Sequence, residues 1–247
     1  MEDIMIKPKM IIFDYGQTLI NEKEFDVFAG TKAVLLNAAK NPNNISVKEI
    51  QGLATELNKE IGRYVIDLDK ESVLEVHNHI FQKYLYEYFD IELTKPHKEV
   101  ERIFEKAAIN SETTNNIENF LFYLNEQKIR TSVISNISFS GSLLKEKIDT
   151  YIPNNNFEFI IASSEYVFRK PHKRIFQLAL RKAKLAPRDV WYCGDNAVCD
   201  VDGASNCRIF PVWYKGAIKD VEKKIPQSNH LEIYDWFELR DILERIS

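Results

Sequence analysis

Met10-Ile11-Ile12-Phe13 is an unbroken apolar run that stops at a carboxylate, Asp14. A short continuous run of this kind predicts a strand covered on both faces. From about Glu24 to Ala108 the texture changes. Apolar residues recur at helical spacing, and Val73, Val76, Ile80, Tyr84 and Tyr88 fall on one stripe with a period near 3.6. Breaks at Asn41-Pro42-Asn43-Asn44, Asp67-Leu68-Asp69 and Lys95-Pro96 divide this block into about four helices.

Beyond Thr113-Thr114-Asn115-Asn116 the pattern alternates. Helices are expected at Ile117–Gln127, Gly141–Ile148 and His172–Ala183, with strands at Thr131–Ser135, Phe157–Ala162 and Val190–Cys193. The run Arg208–Val212, a strand near Ile233 and a helix near Phe237–Ile246 close the chain. Strands that alternate with helices imply right-handed crossovers and a parallel sheet. The expected fold class is therefore α/β, a Rossmann-like parallel-sheet core interrupted after its first strand by an all-helical cap. The core is expected over residues 1–20 and 113–247, and the cap over 21–112.

Composition narrows the function classes. Apolar residues make up 45% of the 247 and charged residues 28%, enough for a packed core under a soluble surface. The net charge of -4 gives no field for nucleic acid or membrane, so neither is expected as a partner. No run has transmembrane length or the form of a signal peptide. Cys193, Cys199 and Cys207 are odd in number and lack CxxC spacing, which argues against a disulfide framework or a zinc knuckle. Free thiols without an export signal fit a reducing cytoplasm. His77 and His79 would stand about 200° apart on a helix, so they are read as packing or solvated histidines rather than a metal pair.

Ligands of open α/β sheets bind beyond the carboxyl ends of the strands. Asp14, Ser135 and Asp195 each fall at such an end. Asp14 closes an apolar strand, where an unpaired carboxylate is costly, and Asp14-Tyr15-Gly16 could equally be an ordinary turn. Asp195 and Asp200 stand in a Gly-Asp loop after Val190–Cys193. Magnesium prefers octahedral oxygen coordination with one or two carboxylates. Ser135-Asn136, at a strand-to-helix turn, offers a hydroxyl and main-chain N–H groups to an anion. Lys170-Pro171 precedes a helix, with the proline expected in its first turn. The Lys170 ammonium could neutralise both a phosphoryl group and the neighbouring aspartates, whereas Arg169 reads as a surface charge.

These four segments, in this order, resemble the haloacid dehalogenase superfamily, subfamily I with a helical (C1-type) cap after the first motif. The resemblance spans essentially the whole chain. It implies a Mg2+-dependent hydrolase for a small phosphorylated metabolite, with Asp14 as the nucleophile that forms an aspartyl-phosphate and Lys170 assisting. Ser135, Asn136 and Lys170 would hold phosphate. Asp14, Asp195 and the main-chain carbonyl of Gly16 would hold the metal, and Asp200 would orient the loop or a metal-bound water.

Gly16 departs from that pattern. Phosphatases of the family carry a second aspartate there as general acid and base. Such proton transfer typically contributes roughly 10² to 10⁴-fold, and turnover is expected to suffer. Gln17 does not titrate, while Glu22 and Asp26, where the chain enters the cap, are the nearest carboxylates that could replace it. A non-catalytic Mg2+ and phosphate-binding module is one alternative. A phosphonate (C–P) hydrolase is another, because those relatives have a small residue at this place and a cap lysine that forms a Schiff base; Lys23, Lys32, Lys48 and Lys59 are candidates. Dehalogenation is disfavoured because Asp195 and Asp200 are kept. Tyr64, Tyr84, Tyr86 and Tyr88 are cap residues with possible roles in substrate choice.

Overall fold

The structure is a computed structural model that describes residues 6–63, 74–217 and 224–246. The first strand, β1 (Met10–Phe13), has every side chain fully buried. It lies between β4 (Arg130–Ser135) and β6 (Val190–Gly194), parallel to both. The sheet extends outward through β5 (Phe157–Ala162) on one side, and through β7 (Phe210–Tyr214) and β8 (Leu231–Ile233) on the other. All six strands run parallel in the order β5-β4-β1-β6-β7-β8. Strand order reverses direction at β1, which opens the crevice where such sheets take ligands.

Helices α5 (Ile117–Glu126), α6 (Gly141–Tyr151), α7 (Lys173–Ala183), the short α8 (Gly203–Ser205) and α9 (Trp236–Arg245) alternate with these strands. The two faces of β1 explain why its run is continuous. Ile11 and Phe13 pack with Phe120, Leu124 and Trp236, while Met10 and Ile12 pack with Ile175, Phe176 and Ala179. The core thus follows the alternation expected from the sequence, with element ends shifted by a few residues. Pro171 differs slightly: it precedes the helix cap rather than standing in the first turn, because the His172 ring accepts the Arg174 N–H and caps α7.

Between β1 and α5 lie α1 (Val27–Leu35), α2 (Val47–Glu60), α3 (Asn78–Glu87) and α4 (His97–Ala108). They share their own apolar cluster, which includes Val34, Ile50, Leu85 and Val100. Local signals fix their starts. Ser46 and Glu49 form a reciprocal capping box on α2, and Asp26 caps α1 through the N–H groups of Phe28 and Ala29. Tyr64, Val73 and the break at Asp67-Leu68-Asp69 lie outside the described residues. No helix among the described residues is long and apolar enough to cross a membrane.

Three findings depart from expectation. The helical block is joined to the core by an antiparallel ribbon of β2 (Ile20–Phe25) and β3 (Ile109–Thr113), irregular between Glu22 and Glu24. Asn21-Glu22-Lys23-Glu24 has no alternation to announce a strand; pairing alone makes it one.

The stripe through Ile80, Tyr84 and Tyr88 is the outer face of α3, with all three side chains more than half exposed. Its inner face is Asn78, Gln82, Leu85 and Tyr86. Two polar residues face inward because α3 lines a cavity there, so hydrophobic periodicity selects the wrong face.

His77, finally, is the extended residue before α3, so the 200° separation does not apply. Its ring packs 4.1 Å from that of His79 and accepts the His79 N–H.

Gly30 of α1 sits where α4 crosses. A side-chain carbon there would stand 2.8 Å from the Phe104 ring. We expect Gly30→Ala to lower stability by about 1–3 kcal/mol through overpacking, and Phe104→Leu to relieve part of that loss, as read by urea unfolding.

Candidate active site

The carboxyl ends of β1, β4 and β6 and the loops that follow them meet under the helical block. They enclose a cavity of about 440 Å³, within the usual range for small-molecule sites. Asp14 leaves β1 with its N–H bonded to the Cys193 carbonyl of β6. The Lys170 ammonium, 2% exposed, donates to Asp14 Oδ1 at 2.6 Å, Asp200 Oδ1 at 2.5 Å and Tyr192 Oη at 2.8 Å. Burial opposes the charge on Lys170, but the two aspartates outweigh it and raise its pKa. Burial also pushes the Asp14 carboxyl up to about 7, against the pull of Lys170 and with the help of Asp200. Tyr192 was not singled out from sequence, since a tyrosine in an apolar strand reads as core.

The loop after β6 is built around Asp200. Its second oxygen accepts the Asn196 N–H at 2.9 Å, while the Asn196 side chain accepts the N–H groups of Val198 and Cys199. Residues Ala197–Asp202 form a π-helical turn that runs into α8. Gly194 makes this possible, because a side-chain carbon there would lie 2.4 Å from the Asp200 carboxyl carbon. Asp195 follows directly, with its carbonyl accepting the Trp213 indole N–H at 2.7 Å.

Ser135 is buried at the end of β4 and lines the cavity; its hydroxyl has no hydrogen-bond partner in the protein among the described residues. Asn136 spends its side-chain amide on Lys170. It donates to the Lys170 carbonyl at 2.8 Å and accepts the Lys170 N–H at 2.7 Å. The amide therefore fixes the lysine's backbone. Arg169 is not the surface charge expected. It is largely buried, donates to the Arg63 carbonyl at 2.8 Å and lies 3.8 Å from Glu75, tying the helical block to the core.

Around Gly16 the chain folds back sharply. Ile20 N–H reaches the Tyr15 carbonyl, Gln17 N–H reaches the Ile20 carbonyl, and the Gln17 side chain donates to the Glu22 carbonyl at 2.9 Å. Asp26 is occupied as the α1 cap, whereas Glu22 lines the cavity. Burial raises the Glu22 carboxyl, opposed by Lys147 and helped by Glu105. Lys147 and Glu105 are themselves ion-paired beneath the cap. Lys23, Lys32, Lys48 and Lys59 are exposed and none lines the cavity, where the lysines are Lys147 and Lys170. Tyr86 is a cavity residue; Tyr84 and Tyr88 face outward.

Ligand oxygens of Asp14, Asp195 and Asp200 all lie within 4.8 Å of one another. This oxygen-only set fits Mg2+. The Gly16 carbonyl is left out of the turn's hydrogen bonds, so it too is available to a cation.

A family model for haloacid dehalogenase-like hydrolases matches residues 11–213, and the chain belongs to that family. Over 128 residues it is 27% identical to a glyceraldehyde 3-phosphate phosphatase of Pyrococcus furiosus, a match that covers 51% of this chain and 52% of that protein. The chain thus spans about half the length of this curated relative. Among solved structures it resembles 2-haloacid dehalogenase from Pseudomonas syringae pv. Tomato DC3000, with a TM-score of 0.62, 17% identity and coverage of 98% and 100% of the two chains. It also resembles the HAD-hydrolase YfnB from Bacillus subtilis bound to magnesium, with a TM-score of 0.53, 16% identity and coverage of 96% and 99%. At these identities the two structures establish the fold alone.

Two outcomes follow from the geometry. Gly194→Ala is expected to expel Asp200 from beneath Lys170 and weaken vanadate binding by about tenfold or more while the far-ultraviolet circular dichroism is kept. Lys170→Met leaves two aspartates facing each other in a dry site. It should lower stability by about 3–5 kcal/mol in urea titrations with chelator present, well beyond a surface substitution.

Proposed function

We propose that this hydrolase is a Mg2+-dependent phosphatase for a small phosphorylated metabolite, with Asp14 as nucleophile. The observation that carries this reading is the Lys170 ammonium held between Asp14 and Asp200 at one end of the cavity. A phosphoryl group beside Asp14 would meet that ammonium and the Ser135 hydroxyl. An Asp14 oxygen attacks phosphorus and the bond to the leaving oxygen breaks, giving an aspartyl-phosphate. Water then attacks phosphorus and restores Asp14. Asp14, Asp195 and the Gly16 carbonyl would hold the metal, and Asp200 would orient their loop. When bound, Mg2+ supplies positive charge to the phosphoryl oxygens.

The rest of the substrate would face the helical block, taken here as the cap over residues 21–112. Asn78 Nδ2 is buried without a hydrogen-bond partner, and Gln82, one turn along α3, also lines the cavity. These amides favour a leaving group that carries hydroxyl or carbonyl oxygens. A phosphorylated triose, the substrate in the name of the P. furiosus relative, is of this kind. The candidate lysines Lys23, Lys32, Lys48 and Lys59 are exposed outside the cavity, which leaves the phosphonate-hydrolase reading without a cap lysine for the Schiff base among the described residues. Three free thiols, two of them buried, support a reducing cytoplasm as its location.

Phosphate release across a metabolite panel with Mg2+ tests the proposal. Asp14→Asn should reduce turnover by about 10³-fold or more and chelator should abolish it, while Asp195→Asn should raise the Mg2+ concentration required. Unchanged release by Asp14→Asn would exclude the aspartyl-phosphate route.

A further inference from the structure

Gly16 removes the side chain that would carry protons in this reaction, yet the space in front of it is not bare. A side-chain carbon built on Gly16 would lie 3.9 Å from Glu22 Oε2, its one neighbour within 4 Å among the described residues beyond Tyr15 and Gln17. The Glu22 carboxylate, which lines the cavity, thus borders the space that an aspartate side chain at this position would enter. We propose that Glu22 of β2 is the general acid and base of this enzyme, delivered from the ribbon instead of the loop after β1. This inference rests on the phosphatase reading above.

Three independent features hold Glu22 there. The Gln17 side chain grips its carbonyl, and the reverse turn from Tyr15 to Ile20 brings β2 back over Gly16. The irregularity between Glu22 and Glu24 resets the strand's side-chain alternation just beyond it. Its charged surroundings are the Lys147–Glu105 pair, so two carboxylates face one ammonium in a largely dry wall. Tyr15, from the turn itself, is buried nearby with an unpartnered hydroxyl. Gly16 leaves the space beside Glu22 open, and a side-chain carbon there would make only ordinary contact with it.

The proton account balances. As an Asp14 oxygen bonds to phosphorus and the bond to the leaving oxygen breaks, the Glu22 carboxyl gives its proton to that oxygen and an alcohol departs. The Glu22 carboxylate next takes a proton from water as the water oxygen attacks phosphorus. The Asp14–phosphorus bond breaks, inorganic phosphate leaves, and Glu22 is protonated again.

The test compares wild type, Glu22→Gln and Glu22→Gln/Gly16→Asp on p-nitrophenyl phosphate and on the alkyl phosphate that wild type turns over fastest, all with Mg2+. Glu22→Gln should lose about 10²-fold or more in kcat/KM on the alkyl ester, whose departing alkoxide needs a proton. On the aryl ester it should still release one nitrophenolate per site in a rapid burst and then stall, because the aspartyl-phosphate lacks a base. Vanadate affinity should stay within about threefold, and Gly16→Asp in the double variant should return about tenfold or more of the alkyl rate. Retention of the alkyl rate in Glu22→Gln would overturn the proposal. So would loss of burst and vanadate binding together, which marks a structural role, or a wild type active on aryl esters alone. A wild type that releases phosphate from neither ester removes the phosphatase reading itself, and this inference with it.

Discussion

A single ammonium group organises this site. Lys170 lies between Asp14 and Asp200, with Tyr192 closing a third direction. Two carboxylates face each other at the end of a buried sheet, and this ammonium offsets their mutual repulsion. The surrounding structure is arranged to keep that cation in place. Asn136 clamps its backbone from the end of β4, and β6 supplies the tyrosine. The loop after β6 supplies the second aspartate, which Gly194 alone among residue types leaves room for. The charges of this cluster therefore come from the end of β1, the loop after β6 and the segment before α7. A phosphoryl group and a divalent cation entering together would add opposite charges to the same cluster.

The sheet's topology sets where this can happen. β1 is the strand at which the connection order reverses, so the loops after β1 and β6 part and leave a crevice. The helical block closes that crevice, and in doing so changes the chemistry of its own packing. The inner face of α3 carries Asn78 and Gln82 where a helix in an ordinary core would carry aliphatic residues. Arg169, Glu75 and Ser163 connect the two parts at the rim.

Legibility from sequence followed the range of the forces involved. β1, the alternating core and the site residues at strand ends could be read because each is announced locally, by a continuous apolar run or by a polar residue that ends one. The ribbon could not, since Asn21–Glu24 becomes a strand only by pairing with a segment some ninety residues away. The buried face of α3 was misread for a related reason: periodicity assumes that burial means apolar contact, and a cavity wall breaks that assumption. Arg169 looked like a surface charge because its partners Glu75 and Arg63 belong to the distant helical block. The clamp of the Asn136 amide on Lys170 is hidden for the same reason, because it joins two loops far apart in the chain. No local pattern could show that commitment.

The placement of Glu22 changes what the ribbon does. The resemblance from which Gly16 departs would place the proton carrier in the loop after the first strand. Here the carboxylate sits on β2, which pairs with β3, and β3 continues directly from α4. Helix α4 is in turn fastened to the core through Glu101 to the Ser140 N–H, Arg102 to Glu146 and Glu105 to Lys147. Any shift of α4 that loosens these contacts would also move the ribbon, and Glu22 with it. Under the Glu22 proposal, proton transfer would require the helical block to be seated. With Glu22 as the proposed proton carrier, that role would rest on the ribbon that joins the helical block to the sheet, and closure over the substrate would become a condition of turnover rather than only a means of excluding water.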